Sequence, residues 1–340
     1  MAVDVPLGSE AVTVSLPDSE VTVTEPPGGD PVDPREAGQR ALASPLGPPL
    51  SWRVGPGDEV ALVVTDVTRA TPDDVLLDLL LEELTAAGVD RADVTVVVGL
   101  GLHRPLTADE LDDLLGEHAD LAVNHDPDAV VEVGRVDDVP VEVHPAVAGA
   151  DLVVSTGMVE PHQYAGFSGG AKTVVVGAGG EPLIRYTHGP GMLGQDGVRL
   201  GRVRGNPFRE FLDRAGDLAG PDFCLNVTHG PGGILDVAAG QHRPVVHELA
   251  DSARDALSVV GRRPTSRWAT AIHSRRAVAS WSPRHSPRAR ARAGASNGPT
   301  SVCGTPRTPT PSTRRCGRAT NRAPSGRSSS RGCSGSTTST

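Results

Sequence analysis

The chain has 340 residues with 42 acidic side chains against 32 basic ones, and it contains no apolar run near the roughly 18 residues that a membrane span needs. Residues 261–340 hold 16 arginines and no acid, so the first 260 residues carry all 42 acids against the other 16 bases, which argues against nucleic acid or an anionic membrane as their partner. The four cysteines, Cys224, Cys303, Cys316 and Cys333, show neither CxxC spacing nor a companion histidine cluster, which argues against a zinc site or a disulfide framework.

Residues 1–57 are rich in Pro and Gly and form an expected entry segment, with short strands over Val12 to Leu16 and Val21 to Thr24. An α/β domain is expected over 58–260. Its first buried strand is Val60 to Thr65, followed by a helix with Thr71 as cap, Pro72 at the first helical position and Asp73-Asp74 in the first turn. Val75, Leu76, Leu79, Leu80 and Leu84 make one apolar face of that helix, and Gly88 ends it. A second strand spans Val94 to Val98, and Thr107 with Glu110 forms a capping box ahead of Leu111, Leu114 and Leu115. The segment Val139 to Val143 and a third apolar strand, Asp151 to Ser155, follow. The β-α-β-α order predicts an open, largely parallel sheet with flanking helices, Rossmann-like in architecture.

From 261 to 340 the composition turns to Arg, Ser, Pro, Thr and Gly without aliphatic periodicity, so the segment is expected to be disordered. A shift of reading frame in a GC-rich gene explains the abrupt change after Val260, and a basic RNA-binding arm is the alternative. A cytoplasmic location is expected, because nothing reads as a signal peptide.

In such sheets ligands bind beyond the carboxyl ends of the strands. Just past the three strands stand Asp66 and Arg69, then His103, then Glu160 and His162. A carboxylate, a guanidinium and two imidazoles on one edge can bind an anion and move protons near neutral pH. Each has a plainer reading alone: Asp66 and Arg69 as a surface ion pair, each histidine as structural. Next comes the glycine-dense run Gly166-Phe-Ser-Gly-Gly-Ala-Lys172-Thr, whose lysine is the only one in the chain. An amine kept among arginines points to a task guanidinium cannot perform, such as nucleophilic attachment, although chance in an Arg-biased composition also leaves a lone lysine. Ala171 occupies the glycine position that a phosphate loop requires, and Gly99-Leu-Gly101-Leu-His-Arg104 lacks the third glycine of a dinucleotide fingerprint.

Taken in order, Asp66-Val-Thr-Arg69-Ala-Thr-Pro72, Gly101-Leu-His103-Arg-Pro105, Asn124-His-Asp126, Glu160-Pro-His162, Ser168-Gly-Gly-Ala-Lys172 and Gly205-Asn-Pro207 resemble the nickel-dependent lactate racemase family over about residues 35–250. The resemblance implies a nickel-pincer pyridinium bis-thiocarboxylate mononucleotide, covalently attached at Lys172, with His188 as the protein ligand to nickel. It also implies a racemase of 2-hydroxy acids such as lactate. His103 and His162 would serve as the two proton-transferring bases, Arg69 would hold the substrate carboxylate or oxyanion, and Asp66 would orient it. Hydride would pass to the cofactor and back. Cofactor-synthesis proteins are the implied partners.

Members of that family continue into a second domain that closes the site and supplies a further lysine. This chain has no lysine after Lys172 and nothing matching beyond about residue 260, so a second lobe is expected to be missing or scrambled and racemase activity to be low or absent. Alternatives are a racemase or epimerase of another 2-hydroxy acid, a non-catalytic cofactor-binding remnant, and a conventional nicotinamide dehydrogenase.

Overall fold

The computed structural model describes residues 2–7, 10–15 and 24–259. The Arg-rich segment, and most of the strand expected over Val21 to Thr24, lie outside these residues. In the entry segment β1 (Ala2–Leu7) pairs antiparallel with β2 (Glu10–Ser15), where one strand had been expected. Helix α1 (Pro34–Ala43) is hidden in the sequence by its proline- and glycine-rich surroundings. Its start signal is nevertheless ordinary: the Asp33 carboxylate accepts the Glu36 N–H at 2.9 Å, and Pro34 opens the helix.

The expected strands and helices follow as β3 (Val60–Thr65), α2 (Asp73–Ala86), β4 (Val94–Gly99) and α3 (Ala108–Leu115). Helix α2 begins one residue later than expected, with Pro72 at the cap position. Thr71 makes no cap bond to it: its hydroxyl turns instead to that of Thr65, 3.0 Å away. The capping box of α3 forms in both directions, Glu110 N–H to Thr107 Oγ1 at 3.3 Å and Thr107 N–H to Glu110 Oε2 at 3.0 Å.

Beyond them lie β5 (Ala122–Asn124), a separate antiparallel hairpin of β6 (Val131–Val136) and β7 (Val139–Val143), α4 (Pro145–Gly149) and β8 (Leu152–Met158). The chain continues through the two-residue strands β9 (Pro161–His162) and β10 (Gly166–Phe167), a π-helical turn at Thr173–Gly177, α5 (Glu181–Thr187), α6 (Pro190–Leu193) and α7 (Pro207–Ala219). It closes with β11 (Phe223–Gly230), β12 (Gly233–Gly240) and α8 (His242–Leu257).

Six strands form the main sheet in the order β12-β11-β8-β3-β4-β5, with every neighbouring pair parallel except the β11–β12 hairpin. Alternation along β3 divides the core. Val60, Leu62 and Val64 join Leu76, Leu79 and Leu80 of α2 on one face. Ala61 and Val63 pack on the other face with Val174 and Val175 of the π-turn and Phe208 and Phe211 of α7. Both faces of the parallel strands are therefore covered, as their unbroken apolar runs require. Because β8, β3 and β4 are adjacent and parallel, their carboxyl ends deliver three loops to one edge. Among the described residues no helix is long and apolar enough to cross a membrane.

Candidate active site

Those three loops and the glycine-dense segment enclose a cavity of about 300 Å³, whose lining includes Asp66, Arg69, His103, His162, Lys172 and His188. All six residues singled out from sequence therefore share one space. Glycine makes this possible at two backbone crossings. A Cβ on Gly99 would sit 3.0 Å from the Val64 carbonyl oxygen and 3.2 Å from Gly177, and Gly101, at φ 56°, donates its N–H to the Gly177 oxygen at 2.7 Å. The end of β4 thus lies directly against the end of the π-turn that Lys172 precedes.

On the β3–β4 side, Asp66 is 5 % exposed, and its Oδ2 lies 2.6 Å from His103 Nδ1. Its Oδ1 accepts the Thr68 N–H at 3.1 Å. The carboxylate holds the proton of His103 on Nδ1 and leaves Nε2 with a free lone pair. Asp66 engages this imidazole, and Arg69 turns instead to Glu160, with NH1 to Oε1 at 2.5 Å. The plain reading of a local Asp66–Arg69 ion pair does not describe the structure. Glu160, which carried no assigned role in the sequence reading, is the partner that sets the angle of Arg69.

Across the cavity His162 is differently arranged. Its Nδ1 accepts two backbone N–H groups, from Tyr164 at 3.2 Å and Ala165 at 3.1 Å. The ring therefore carries its proton on Nε2. Burial, followed by the charges of Lys172, Arg209 and Arg69, pushes the pKa of His162 down to about 2, so the ring stays neutral. It is poised as a hydrogen-bond donor, and acting as a base requires giving up the two backbone bonds.

Lys172 is half-buried, and its amine makes no hydrogen bond or ion pair with any described residue. Burial, with help from Arg69 and Arg209, pulls its pKa down to about 8, so a useful fraction of the amine is unprotonated near neutral pH. His188 is exposed at the end of α5, and its Nδ1 lies 3.0 Å from the Ile184 carbonyl oxygen. That bond leaves Nε2 for the cavity, which is how a metal-binding imidazole is usually oriented. Phe208 packs beside His162 and His188, with ring centroids 6.2 Å and 5.2 Å apart respectively.

Sequence reading also passed over the brace behind the loop. Arg209 is 1 % exposed in α7, and its guanidinium donates to the carbonyls of Phe167, Ser168 and Gly169. Asn206 caps α7 through Phe208 N–H at 3.0 Å and donates to the Tyr164 and Arg202 carbonyls, both at 2.8 Å. The Gly205-Asn-Pro207 run could have flagged the cap, but the reach back of some 40 residues has no local signal. Asp73 lies beneath the cavity floor, receives hydroxyl bonds from Thr65 at 3.0 Å and Thr156 at 2.5 Å, and is pushed up by burial to about 7. A separate cluster of Asp78, Glu117 and His118 has the spacing of metal ligands, but Arg35 binds Asp78 and Arg91 binds His118. Those cations make it an ion-pair network.

The group implied by the family resemblance fits the residues present. An unpaired amine on a braced loop and an imidazole with one nitrogen tied to backbone are suitable for covalent attachment and for a late first-row metal. Gly169 and Gly170, at φ 74° and 61°, keep that loop free of Cβ atoms that would fall within 2.6 Å of Val159 and Val246.

Residues 7–201 match the family described as lactate racemase N-terminal domain. A lactate racemase of Thermoanaerobacterium thermosaccharolyticum is 28 % identical over 276 residues, covering 77 % of this chain and 64 % of that protein. One of Lactiplantibacillus plantarum is 25 % identical over 239 residues, covering 67 % of this chain and 56 % of that protein. The lactate racemase apoprotein structure from T. thermosaccharolyticum superposes with a TM-score of 0.67 at 24 % identity, over 75 % of this chain and 63 % of that one. A Thermotoga maritima protein superposes with a TM-score of 0.53 at 21 % identity, over 66 % and 59 %. These likenesses show a shared fold. The chain spans less than two thirds of the length of the relatives it matches.

Proposed function

The chain belongs to the lactate racemase N-terminal domain family, and from that premise we propose that its cavity interconverts the enantiomers of a small 2-hydroxy acid such as lactate, using a nickel-pincer nucleotide held by Lys172 and His188. The observation that carries this reading is the meeting, in one cavity of about 300 Å³, of an unpaired amine, a backbone-oriented imidazole, and two further histidines with different partners.

Arg69 binds the substrate carboxylate with the guanidinium nitrogens that Glu160 does not occupy. His103 takes the hydroxyl proton on Nε2, and the imidazolium that forms is stabilised by Asp66 at Nδ1. His162 donates Nε2–H to the same oxygen and steadies it as it passes between hydroxyl and carbonyl. It becomes the base for the opposite enantiomer only after its Nδ1 exchanges the two backbone bonds for a proton. The chemistry the bound group supplies is reversible acceptance of the C2 hydrogen as hydride. The protein supplies positioning and the proton.

The test is direct. The full chain, co-produced with proteins that assemble the nucleotide, is expected to carry nickel and one adduct mapped to Lys172, and to racemise L-lactate in a chiral assay. Unmodified Lys172 in such material sinks the proposal. Binding without turnover is the second reading, favoured by the 61 % exposure of the His103 side chain, which admits water to the proton-transfer site. Adduct and nickel without racemisation would select it.

A further inference from the structure

Lys172 is the one lysine of the chain, and its amine lines the cavity without an ion pair to any described residue, although Glu160 and Asp66 lie near enough to act on it. A lysine kept for packing or stability ordinarily finds a carboxylate, yet both carboxylates of this site are occupied. Asp66 is bound to His103 at 2.6 Å and Glu160 to Arg69 at 2.5 Å. Arg69 commits one nitrogen to Glu160 and keeps the rest of its fork for an incoming anion. The cavity is small, and through the exposed His103 side chain it is open to solvent. A free amine, a guanidinium and an imidazole in one small space are the groups that recognise a carbonyl adjacent to a carboxylate.

We propose that a chain whose Lys172 carries no cofactor binds 2-oxo acids covalently and reversibly, as an imine on that lysine, with Arg69 holding the carboxylate. The neutral amine attacks the C2 carbonyl carbon. A C–N bond forms, and the carbonyl electron pair moves to oxygen, which takes up a proton. Nitrogen then loses a proton, the C–O bond breaks as the oxygen is protonated a second time, water leaves, and the iminium nitrogen gives up its remaining proton. Amine and 2-oxo acid give imine and water, with no change of oxidation state. His103 Nε2, backed by Asp66, carries the proton between nitrogen and departing oxygen. The depressed basicity of the amine keeps part of it unprotonated at neutral pH. Capture of a 2-oxo acid and attachment of the nucleotide use the same nitrogen, so each excludes the other. The inference goes beyond the racemase reading and needs only the free amine.

The experiment uses the full chain produced without nucleotide-assembling proteins, with intact mass confirming an unmodified lysine. Pyruvate is added, the imine is reduced with cyanoborohydride, and the product is mapped by peptide mass. One carboxyethyl group on Lys172 is expected, at a yield above that on the Met1 α-amine, which reports unassisted reaction in the same sample. Acetaldehyde, which lacks the carboxylate, is expected to favour Lys172 over the Met1 α-amine about tenfold less than pyruvate does, as one charge-assisted contact implies. In Arg69→Gln that preference is expected to vanish. Labelling of Lys172 by pyruvate no greater than that of Met1, or equal Lys172-to-Met1 ratios with acetaldehyde and pyruvate in the unaltered chain, overturns the proposal; neither result depends on a variant folding. A chain that captures pyruvate but never gains the nucleotide sinks only the racemase reading. The reverse pattern sinks only this one.

Discussion

On one wall of the cavity His103 stands with its side chain 61 % exposed and Nδ1 against the Asp66 carboxylate, while on the other His162 is sunk among aromatic rings with Nδ1 held by two backbone N–H groups. The residue type is the same and the proton sits on opposite nitrogens. Partnership with a carboxylate makes the first ring a proton acceptor at Nε2, whereas partnership with donors makes the second a proton donor there. The walls also differ in how they are supported. The His103 side rests on a strand end and a short turn, and the His162–Lys172 side is bolted to α7 by Arg209 and Asn206.

The largest expected effect comes from unbolting the second wall. Arg209→Met leaves the Phe167, Ser168 and Gly169 carbonyls without their buried donor, and stability is expected to fall by about 3–5 kcal/mol, read as a lowered Tm. The same change removes a positive charge near Lys172, so the pH midpoint for labelling its amine with trinitrobenzenesulfonate should move up from about 8. Breaking the first wall costs activity more than stability. Asp66→Asn lets His103 hold its proton on Nε2, and racemisation by the loaded chain is expected to drop by about 10²-fold with adduct and nickel retained. An unchanged rate would assign the base elsewhere.

Asp73, beneath the first wall, sharpens the comparison through pH. Its carboxyl is raised by burial from 3.8 to about 7, so the folded state binds its proton more tightly than the unfolded chain does. No penalty exists below about 4, where both states are protonated. The penalty grows as pH rises through the window up to about 7 and is complete above it. Asp73→Asn should therefore flatten the decline of Tm between pH 5 and 8 and stabilise the chain at pH 8 by on the order of 2 kcal/mol. The smallest effect is expected from Glu160→Gln. The Arg69 pair is partly exposed, so stability should change by less than about 1 kcal/mol, while KM for lactate moves because Arg69 loses its guide.

Much of this was legible in the linear chain. Val60–Thr65, Val94–Gly99 and the Leu152-Val-Val154 start of β8 are apolar runs that mark buried parallel strands, while the continuation of β8 to Met158 through Ser155, Thr156 and Gly157 carries no such mark. The Thr107–Glu110 box depends on residues three apart, within reach of local reading. The six residues that line the cavity could be singled out because they follow strand ends or motifs that resemble a known family. Helix α1 and the β11–β12 hairpin escaped, the first hidden in Pro/Gly-rich surroundings and the second read only as domain interior.

The apolar strand runs, the edge at which their loops converge and the singular amine at position 172 were thus determined by sequence alone, since periodicity and residue type are local properties, whereas the order β12-β11-β8-β3-β4-β5 within the sheet was not. Which carboxylate holds which cation was decided only in three dimensions. Asp66 reaches His103 across 37 residues, Arg69 reaches Glu160 across 91, and Arg209 reaches back 40 to 42 residues to the glycine loop. Hydrogen-bond partners at such separations are chosen by packing of the parallel sheet against α7, and no local pattern encodes them. The tautomer of each histidine follows from those partners.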